Sequence, residues 1–219
     1  MIKGMLVAAM LLSGIAHAGE EHKMPAKRVV LVHGIFQSKW RCFGFLRRDL
    51  AKRGVEFLAP SLKPADGRDG IPAMAEQLKA SINARFGEDE RFVVIAFSMG
   101  GLVSRHYLQE LGGAKRCDGF FSISTPHHGT QVASIFWGKA AEQMRPGSAW
   151  LKRLHETENR LGKIPIVSYR TPADLIIIPS KSSEWDRAEN ISIPCPIHPM
   201  MTFSPRVRRD ILARLETPH

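Results

Sequence analysis

The chain has 219 residues, of which 44% are hydrophobic, so it can bury one good core and has little material left for a second domain. With 31 Lys and Arg against 21 Asp and Glu, its net charge of +10 favours acidic surfaces generally. The basic residues form no aromatic-interleaved stripe and no zinc or RNA-binding signature, which argues against nucleic acid as a partner. Peripheral contact with anionic envelope lipids is compatible with this charge.

The N-terminus has the pattern of a secretory signal peptide. Lys3 is followed by an almost wholly apolar run over residues 5–16, and the chain turns polar after Ala16-His17-Ala18. The run is too short for a helix to cross about 30 Å of bilayer hydrocarbon. A retained, buried N-terminal helix is the alternative, which the Ala-x-Ala pattern disfavours. We therefore expect a signal peptide over residues 1–18 and an exported protein, periplasmic or extracellular.

Apolar strand-like runs then alternate with helical periodicity along the chain. Residues 28–32 form the first run, and apolar residues at four-residue spacing predict a helix over residues 74–86. A final amphipathic helix follows the proline-rich loop that contains His198. The alternation predicts a parallel sheet with helices on both faces. The apolar positions are Met74, Leu78, Ile82 and Phe86 in the first helix, and Val207, Ile211, Leu212 and Leu215 in the last.

The stretch around Ser98 predicts a strand, a sharp turn and a helix in direct succession. Residues 92–97 are apolar, and Ser98 is flanked two positions away by Ala96 and Gly100. Small flanking residues are what the crowded backbone of such a turn permits, and the turn lifts the serine hydroxyl clear of the sheet. The Met99 amide, at the start of the helix, would then face a developing oxyanion. A serine that only caps the helix is the simpler alternative.

A serine nucleophile requires a base and an acid, and in folds built on this strand–turn–helix elbow both follow the serine in the chain, in the order Ser, Asp or Glu, His. Among the later histidines, His198 lies in an irregular, proline-rich loop between the last strand-like run and the final helix, which makes it the expected base. Asp174 follows a strand over residues 164–169 and is the expected acid, with Asp186 as the runner-up. Of the other later histidines, we interpret His106 and His155 as structural or solvated, and His219 is terminal. His127 and His128 either shape the pocket or bond to backbone, and neither is expected to be catalytic.

These motifs resemble the α/β-hydrolase superfamily, and in particular small bacterial lipases whose nucleophile turn reads Ala-x-Ser-x-Gly. Five ordered segments after residue 27 carry the resemblance: Val32-His33-Gly34-Ile35, residues 96–101, Thr125-Pro126-His127-His128-Gly129, residues 174–179, and His198. Ala96 stands where glycine is usual in the wider superfamily.

The resemblance implies a minimal α/β-hydrolase fold, with about six mostly parallel strands and helices on both faces, as a single catalytic domain over residues 19–219. By match to His-Gly loops of lipases, the Ile35 amide would be the second oxyanion donor. The region 130–162 lies where the superfamily inserts a cap, although ordinary core helices are the favoured interpretation for most of its apolar residues. Phe36, Phe136 and Trp137 are the expected substrate-contacting residues, and Trp150 is a further aromatic near the cleft.

The expected activity is that of a serine carboxylester hydrolase, a lipase or esterase, that cleaves apolar or lipid esters with Ser98, Asp174 and His198. No cofactor is expected, and no zinc-binding spacing such as His-Glu-x-x-His or Cys-x-x-Cys occurs. Two alternatives stay open: an acyltransferase or thioesterase with the same three residues, and a catalytically silent binding protein on this scaffold.

Export makes the three cysteines candidates for one disulfide bond. Cys42 and Cys195 are expected at the carboxyl edge of the sheet, and Cys117 at the opposite edge, which favours a bridge between Cys42 and Cys195. Three unpaired, buried thiols are the alternative.

Overall fold

The computed structural model describes residues 28–37 and 42–216, so the predicted signal peptide lies outside the described residues. In the described part, six strands form one sheet in the order β2-β1-β3-β4-β5-β6, and every neighbouring pair is parallel. The strands are β1 (Arg28–Val32), β2 (Glu56–Leu58), β3 (Phe92–Phe97), β4 (Cys117–Ile123), β5 (Ile166–Arg170) and β6 (Glu189–Ser192). The predicted minimal α/β fold of about six strands is therefore confirmed.

Helices cover both faces of the sheet, as predicted. They are α1 (Gly44–Lys52), α2 (Ile71–Phe86), α3 (Met99–Glu110), α4 (Lys139–Gln143), α5 (Ala149–Glu156) and α6 (Pro205–Glu216). The predicted apolar positions of α2 and α6 are all buried. Within the described ranges, no helix combines the length and apolar character needed to cross a bilayer.

Two hydrophobic clusters lie on opposite faces of the sheet, because successive side chains of a strand point to opposite sides. One contains Val30, Val94 and Phe120 of the sheet with the apolar faces of α2, α3 and α5. The other contains Val29 and Ile95 with α1 and α6. The strands in the middle of the sheet are buried on both faces, which explains their nearly continuous apolar sequence.

The order of the strands locates a crevice at the carboxyl edge. The chain passes from β1 outward to β2 and then returns across β1 to β3. The loops after β1 and β3 therefore leave in opposite directions, and open α/β sheets bind ligands at such a reversal point. Ser98 follows β3 and His33-Gly34 follows β1, so both predicted motifs flank this crevice.

The predicted bridge between Cys42 and Cys195 is wrong, since all three cysteines are free and buried. Cys42 and Cys195 do share one core cluster, and Cys117 lies in the other. The Cys195 and Cys117 thiols instead donate to the backbone carbonyls of Ile197 and Gly119, at 3.6 Å and 3.2 Å. Burial raises the pKa of Cys42 and of Cys117 to about 12, so these thiols are protonated core residues at neutral pH.

Candidate active site

Ser98 occupies a strained turn between β3 and α3. Its backbone has φ 53° and ψ −129°, a region that residues with a side chain rarely adopt. Such a conformation costs on the order of 1–3 kcal/mol and persists only where the surroundings impose it. Here the Ser98 N–H donates to the Ile123 carbonyl at 2.8 Å, which holds the turn against β4. The sharp strand–turn–helix geometry that the sequence predicted is therefore present.

Close approach of α3 to β1 explains the glycine at position 100. A Cβ atom there would lie 2.5 Å from the His33 carbonyl oxygen and 2.6 Å from that of Val32. Both neighbours are backbone atoms and cannot swing aside. Gly100 therefore allows the first turn of α3 to rest against the end of β1.

We expect Gly100→Ala to lower the free energy of unfolding by about 1–3 kcal/mol, because the added methyl group overlaps backbone atoms. Gly119→Ala is the matched control, since a Cβ atom at position 119 meets its nearest neighbours at 3.8 Å, an ordinary contact. Denaturant unfolding of both variants measures the difference. Equal stability of the two variants would contradict this account of the turn.

Two backbone amides close to Ser98 have no backbone acceptor among the described residues. Met99 is the first residue of α3, so its N–H has no acceptor in a preceding helical turn. The Ile35 N–H donates to no backbone carbonyl among the described residues, whereas the next amide, of Phe36, donates to Ala65 at 2.8 Å. A Cβ atom on Gly34 would lie 3.0 Å from Ser98 Cβ, so this loop passes directly beside the serine. The geometry can supply the two donors of an oxyanion hole.

The His33 ring holds this loop in place. Its Nε2 atom accepts from the Leu62 N–H at 3.0 Å, and its Nδ1–H donates to the Gly34 carbonyl at 2.9 Å. Burial lowers the pKa of His33, which outweighs the opposite effect of the bond to Gly34. The neutral ring therefore links the loop after β1 to the segment before α2.

Asp174 and His198 form a buried pair at the same edge. His198 Nδ1–H donates to Asp174 Oδ2 at 2.8 Å, and Asp174 Oδ1 accepts from the Ile176 and Ile177 amides at 2.9 Å and 2.8 Å. Burial on its own raises the pKa of Asp174. The hydrogen bond from His198, the charge of His198 and the two amides outweigh this effect and lower the pKa overall. Asp174 is therefore ionised and orients the imidazole.

His198 lies beside the serine turn. Its ring packs against that of Phe97, the residue before Ser98, with 4.7 Å between centroids. Among the described residues, the hydrogen bonds of the site do not include one between Ser98 Oγ and His198. Serine–histidine contacts of unliganded enzymes are often longer than in their complexes. The bond to Asp174 occupies Nδ1 and leaves Nε2 as the ring nitrogen available for proton transfer.

The structure separates the runner-up acid and the other histidines from this pair. Asp186 is exposed and acts electrostatically on His128. His128 stacks on His155, with 4.9 Å between ring centroids, and the predicted structural interpretation of His106 agrees with its packing against Trp150.

A cavity of about 430 Å³ opens beside Ser98. No charged side chain is among its lining residues, which are Ile35, Phe36, Ser98, Pro126, Thr130, Val132, Ala133, Ile135, Phe136, Ala141, Met144, Leu175, Ile176 and Ile177. The rings of Phe36 and Phe136 approach each other at 6.2 Å between centroids. Phe36 and Phe136, two of the expected substrate-contacting residues, therefore line this cavity, and their contact with a substrate stays a prediction.

The placement of Trp137 and Trp150 in this cleft is corrected by the structure. Trp137 is 90% exposed and does not line the cavity. Phe136 has an extended backbone, in which successive side chains point to opposite sides, so Phe136 faces the cavity and Trp137 faces away. Trp150 packs beside His106, in a separate small pocket lined by Pro72 and Arg153 among others.

Sequence reasoning missed one wall of the cavity. Leu175, Ile176 and Ile177 directly follow Asp174 and line the cavity, whereas the sequence pattern indicated a role only for the aspartate. The sequence does contain a pattern that indicates this surface, because four consecutive apolar residues, 175–178, follow the end of β5 and its turn. Apolar residues outside a strand or helix at this edge indicate a surface that faces a ligand.

A buried polar network supports the loop after β4. Arg105 is fully buried, stacks on Trp185 at 4.2 Å from the ring centroid, and donates to Glu158 at 2.7 Å. It also donates to His127 Nδ1 at 3.4 Å, so the proton of His127 lies on Nε2 and is donated to Ser122 Oγ at 2.9 Å. Burial, and then the charge of Arg105, lower the pKa of His127 well below 6.5.

This network predicts a loss of stability in mild acid. The unfolded chain binds a proton at His127 near pH 6.5, whereas the folded chain does not. The contribution is fully present above this pH and is lost as the pH falls toward the lower pKa of the folded state. We expect His127→Gln to reduce the slope of the unfolding free energy against pH by up to about 1.4 kcal/mol per pH unit below pH 6.5. The control is His106→Gln, at a half-buried histidine, which should change the slope less. Denaturant titrations from neutral to acidic pH measure the unfolding free energy of both variants. Equal slopes for the wild type and His127→Gln would refute the prediction.

A strained serine at the reversal point of a parallel sheet, with a buried aspartate–histidine pair at the same edge, defines the class of α/β hydrolases. A family model described as alpha/beta hydrolase fold matches residues 27–149, and the chain belongs to this family. No curated protein sequence matches the chain.

Solved structures of lipases share the fold. Bacillus licheniformis lipase BlEst2 in its mature form is 19% identical, with a TM-score of 0.72, over 90% of this chain and 95% of that one. Aspergillus fumigatus lipase B is also 19% identical, with a TM-score of 0.74, over 88% of this chain and 54% of that one. Paleococcus ferrophilus monoacylglycerol lipase is 15% identical, with a TM-score of 0.67, over 88% and 95%.

Proposed function

We propose that the protein is a serine carboxylester hydrolase that cleaves apolar or lipid esters through an acyl-enzyme on Ser98. One observation carries the proposal: the 2.8 Å hydrogen bond between buried His198 and Asp174 lies beside a strained serine that opens into an apolar cavity. A buried acid–base pair and a serine turn are the parts that acyl transfer needs.

The proposed reaction begins when His198 Nε2 accepts the proton of Ser98 as Oγ attacks the ester carbonyl carbon. Asp174 keeps the Nδ1–H tautomer and stabilises the imidazolium that forms. The amides of Met99 and Ile35 donate to the carbonyl oxygen as it becomes negative. When the tetrahedral intermediate collapses, the ester C–O bond breaks and His198 Nε2–H protonates the leaving alcohol.

Water completes the cycle. His198 removes a proton from water, the hydroxide oxygen attacks the acyl-enzyme, and the carboxylic acid leaves as Ser98 Oγ regains its proton. The apolar lining of the cavity favours substrates with an uncharged acyl group, because burying a charged group against this lining would cost several kcal/mol.

Labelling with a fluorophosphonate probe tests this proposal directly. We expect covalent modification at Ser98, mapped by peptide mass spectrometry, and hydrolysis of p-nitrophenyl esters with a preference for acyl chains that fill the cavity. Product analysis in the presence of added alcohols or thiols separates hydrolysis from acyl transfer. A folded protein that neither reacts with the probe nor hydrolyses any ester of the series would refute the proposal.

A further inference from the structure

The mouth of the Ser98 cavity is surrounded by exposed apolar side chains. Five of the cavity-lining residues, the mouth residues, are also exposed to solvent: Phe36, Ile135, Phe136, Leu175 and Ile176. Phe36 is 61% exposed, Leu175 is 71% exposed and Ile135 is 76% exposed, and Trp137 stands next to them. Clustered apolar exposure of this kind marks an interaction surface, whereas single exposed apolar residues do not.

A second surface at the same edge combines aromatic rings with arginines. We name it the arginine–phenylalanine patch: Phe45, Arg48, Phe203 and Arg208, together with exposed Arg206, which follows Phe203 by three residues at the start of α6. The rings of Phe45 and Phe203 meet edge to face at 6.0 Å, and the Arg48 and Arg208 guanidinium groups each lie 5.5 Å from the Phe45 ring centroid. Both rings remain partly exposed.

The charge of the patch is only partly neutralised within the described chain. Arg208 pairs with Asp49 at 2.9 Å. Arg48 and Arg206 are exposed and pair with no carboxylate of residues 28–37 and 42–216. Among the described residues, one arginine without a carboxylate partner, Arg48, therefore lies over an exposed aromatic ring, and Arg206 adds a second such cation three residues after Phe203. Exposed rings with neighbouring cations are the composition of surfaces that enter the headgroup region of a membrane.

The catalytic pair connects the two surfaces. Leu175 and Ile176 directly follow Asp174, and the exposed residues Ile197 and Met200 flank His198. The short helix that begins at His198 then runs to Phe203, which contacts Phe45. Because the loops after β1, β5 and β6 all leave the carboxyl edge of the sheet, the mouth and the patch belong to one edge of the molecule.

We propose that this edge docks on an anionic lipid surface, with the mouth residues and Trp137 in the acyl region and the arginine–phenylalanine patch among the phosphate headgroups. Charge complementarity selects this occupant, since the chain carries a net charge of +10, and Arg48 and Arg206, which pair with no carboxylate among the described residues, lie at the same edge as the mouth. The proposal rests on the proposed function for its purpose, because docking brings ester bonds to Ser98. Docking itself requires neither Ser98 nor hydrolysis.

Vesicle binding by the Ser98→Ala protein tests the proposal apart from catalysis. The vesicles are made of ether-linked phosphatidylcholine, with or without ether-linked phosphatidylglycerol, so no ester can be cleaved. We expect co-sedimentation with the anionic vesicles, weakened by salt through screening, and little binding to the neutral ones. The tryptophan emission should shift to shorter wavelength on binding, and Trp137→Phe should remove most of the shift.

Charge reversal locates the contact. Arg48→Glu/Arg206→Glu should lower partitioning into anionic vesicles by at least roughly 30-fold, as expected when two basic residues near the surface are lost. The matched control is Lys115→Glu/Lys163→Glu, which changes the net charge equally. Lys115 and Lys163 are exposed and precede β4 and β5, at the amino edge of the sheet. Both double variants should keep wild-type activity on a soluble short-chain ester.

Several outcomes would overturn the proposal. The first is an equal loss of vesicle binding in both double variants. The second is equal binding to neutral and anionic vesicles, and the third is no vesicle binding by a protein that hydrolyses soluble esters. A stable dimer in sedimentation velocity that Trp137→Ser dissociates would instead assign the mouth to a second copy. Vesicle binding by a protein that neither reacts with the fluorophosphonate nor hydrolyses any ester would support the docking surface and refute the proposed function.

Discussion

We expect Ser98→Ala to lower kcat for ester hydrolysis by about 10⁶-fold, the typical effect of removing a serine nucleophile. The loss follows because alanine has no atom that can form the acyl-enzyme, whereas His198, Asp174 and the two amides stay in place. The fold should remain intact, since the hydrogen bond that holds the turn is made by the backbone N–H of residue 98. Single-turnover and steady-state assays on p-nitrophenyl esters measure the change.

Ser81→Ala is the control for the first prediction. Ser81 lies on α2, away from the carboxyl edge, and its replacement should leave kcat unchanged. Ester hydrolysis at the wild-type rate by a folded Ser98→Ala protein, with circular dichroism and unfolding midpoint unaltered, would show that the nucleophile lies elsewhere.

The second large effect is expected at Asp174. Asp174→Asn should lower kcat by about 10⁴-fold, because an amide can present N–H groups to His198 Nδ1 and so favour the wrong tautomer. KM should change little, since Asp174 does not line the cavity. Asp186→Asn removes the same charge at an exposed position and should keep nearly full turnover.

Circular dichroism must accompany these kinetics, because Asp174 also accepts from the Ile176 and Ile177 amides. A loss of turnover restricted to Asp186→Asn would reverse the choice of acid. A loss in both variants together with altered spectra would indicate structural damage and leave no support for a catalytic role of Asp174 from this test.

Several features of the fold and site follow from local sequence. The four-residue spacing of Met74, Leu78, Ile82 and Phe86 requires one buried helix face, and α2 has it. The turn at Ser98 follows from an apolar strand that ends between small residues, because larger ones would collide with the neighbouring strand. These predictions succeed since helix period and turn sterics depend on residues close together in the chain.

The Asp174–His198 pair was also predicted, although its members are 24 residues apart in the chain. A parallel sheet brings the loops after its strands to one edge, so the order of the motifs along the chain already restricts which loops can meet. In the structure β5 and β6 are neighbours, so the loops that follow them, which carry Asp174 and His198, lie close enough for the hydrogen bond between these residues.

Two kinds of feature became clear only from the tertiary structure: the direction in which each side chain points, and the contacts between segments that are distant in the chain. The backbone of Phe136 is extended, so Phe136 faces the cavity and the next residue, Trp137, faces solvent. The amino-acid composition of this segment does not show which of the two rings faces the cavity. Cys42 and Cys195 share a core cluster without forming a bond, and Arg105 finds Trp185 and Glu158 on segments far along the chain. Local patterns determine which elements form and where they turn, whereas packing of the assembled layers determines which side chains meet.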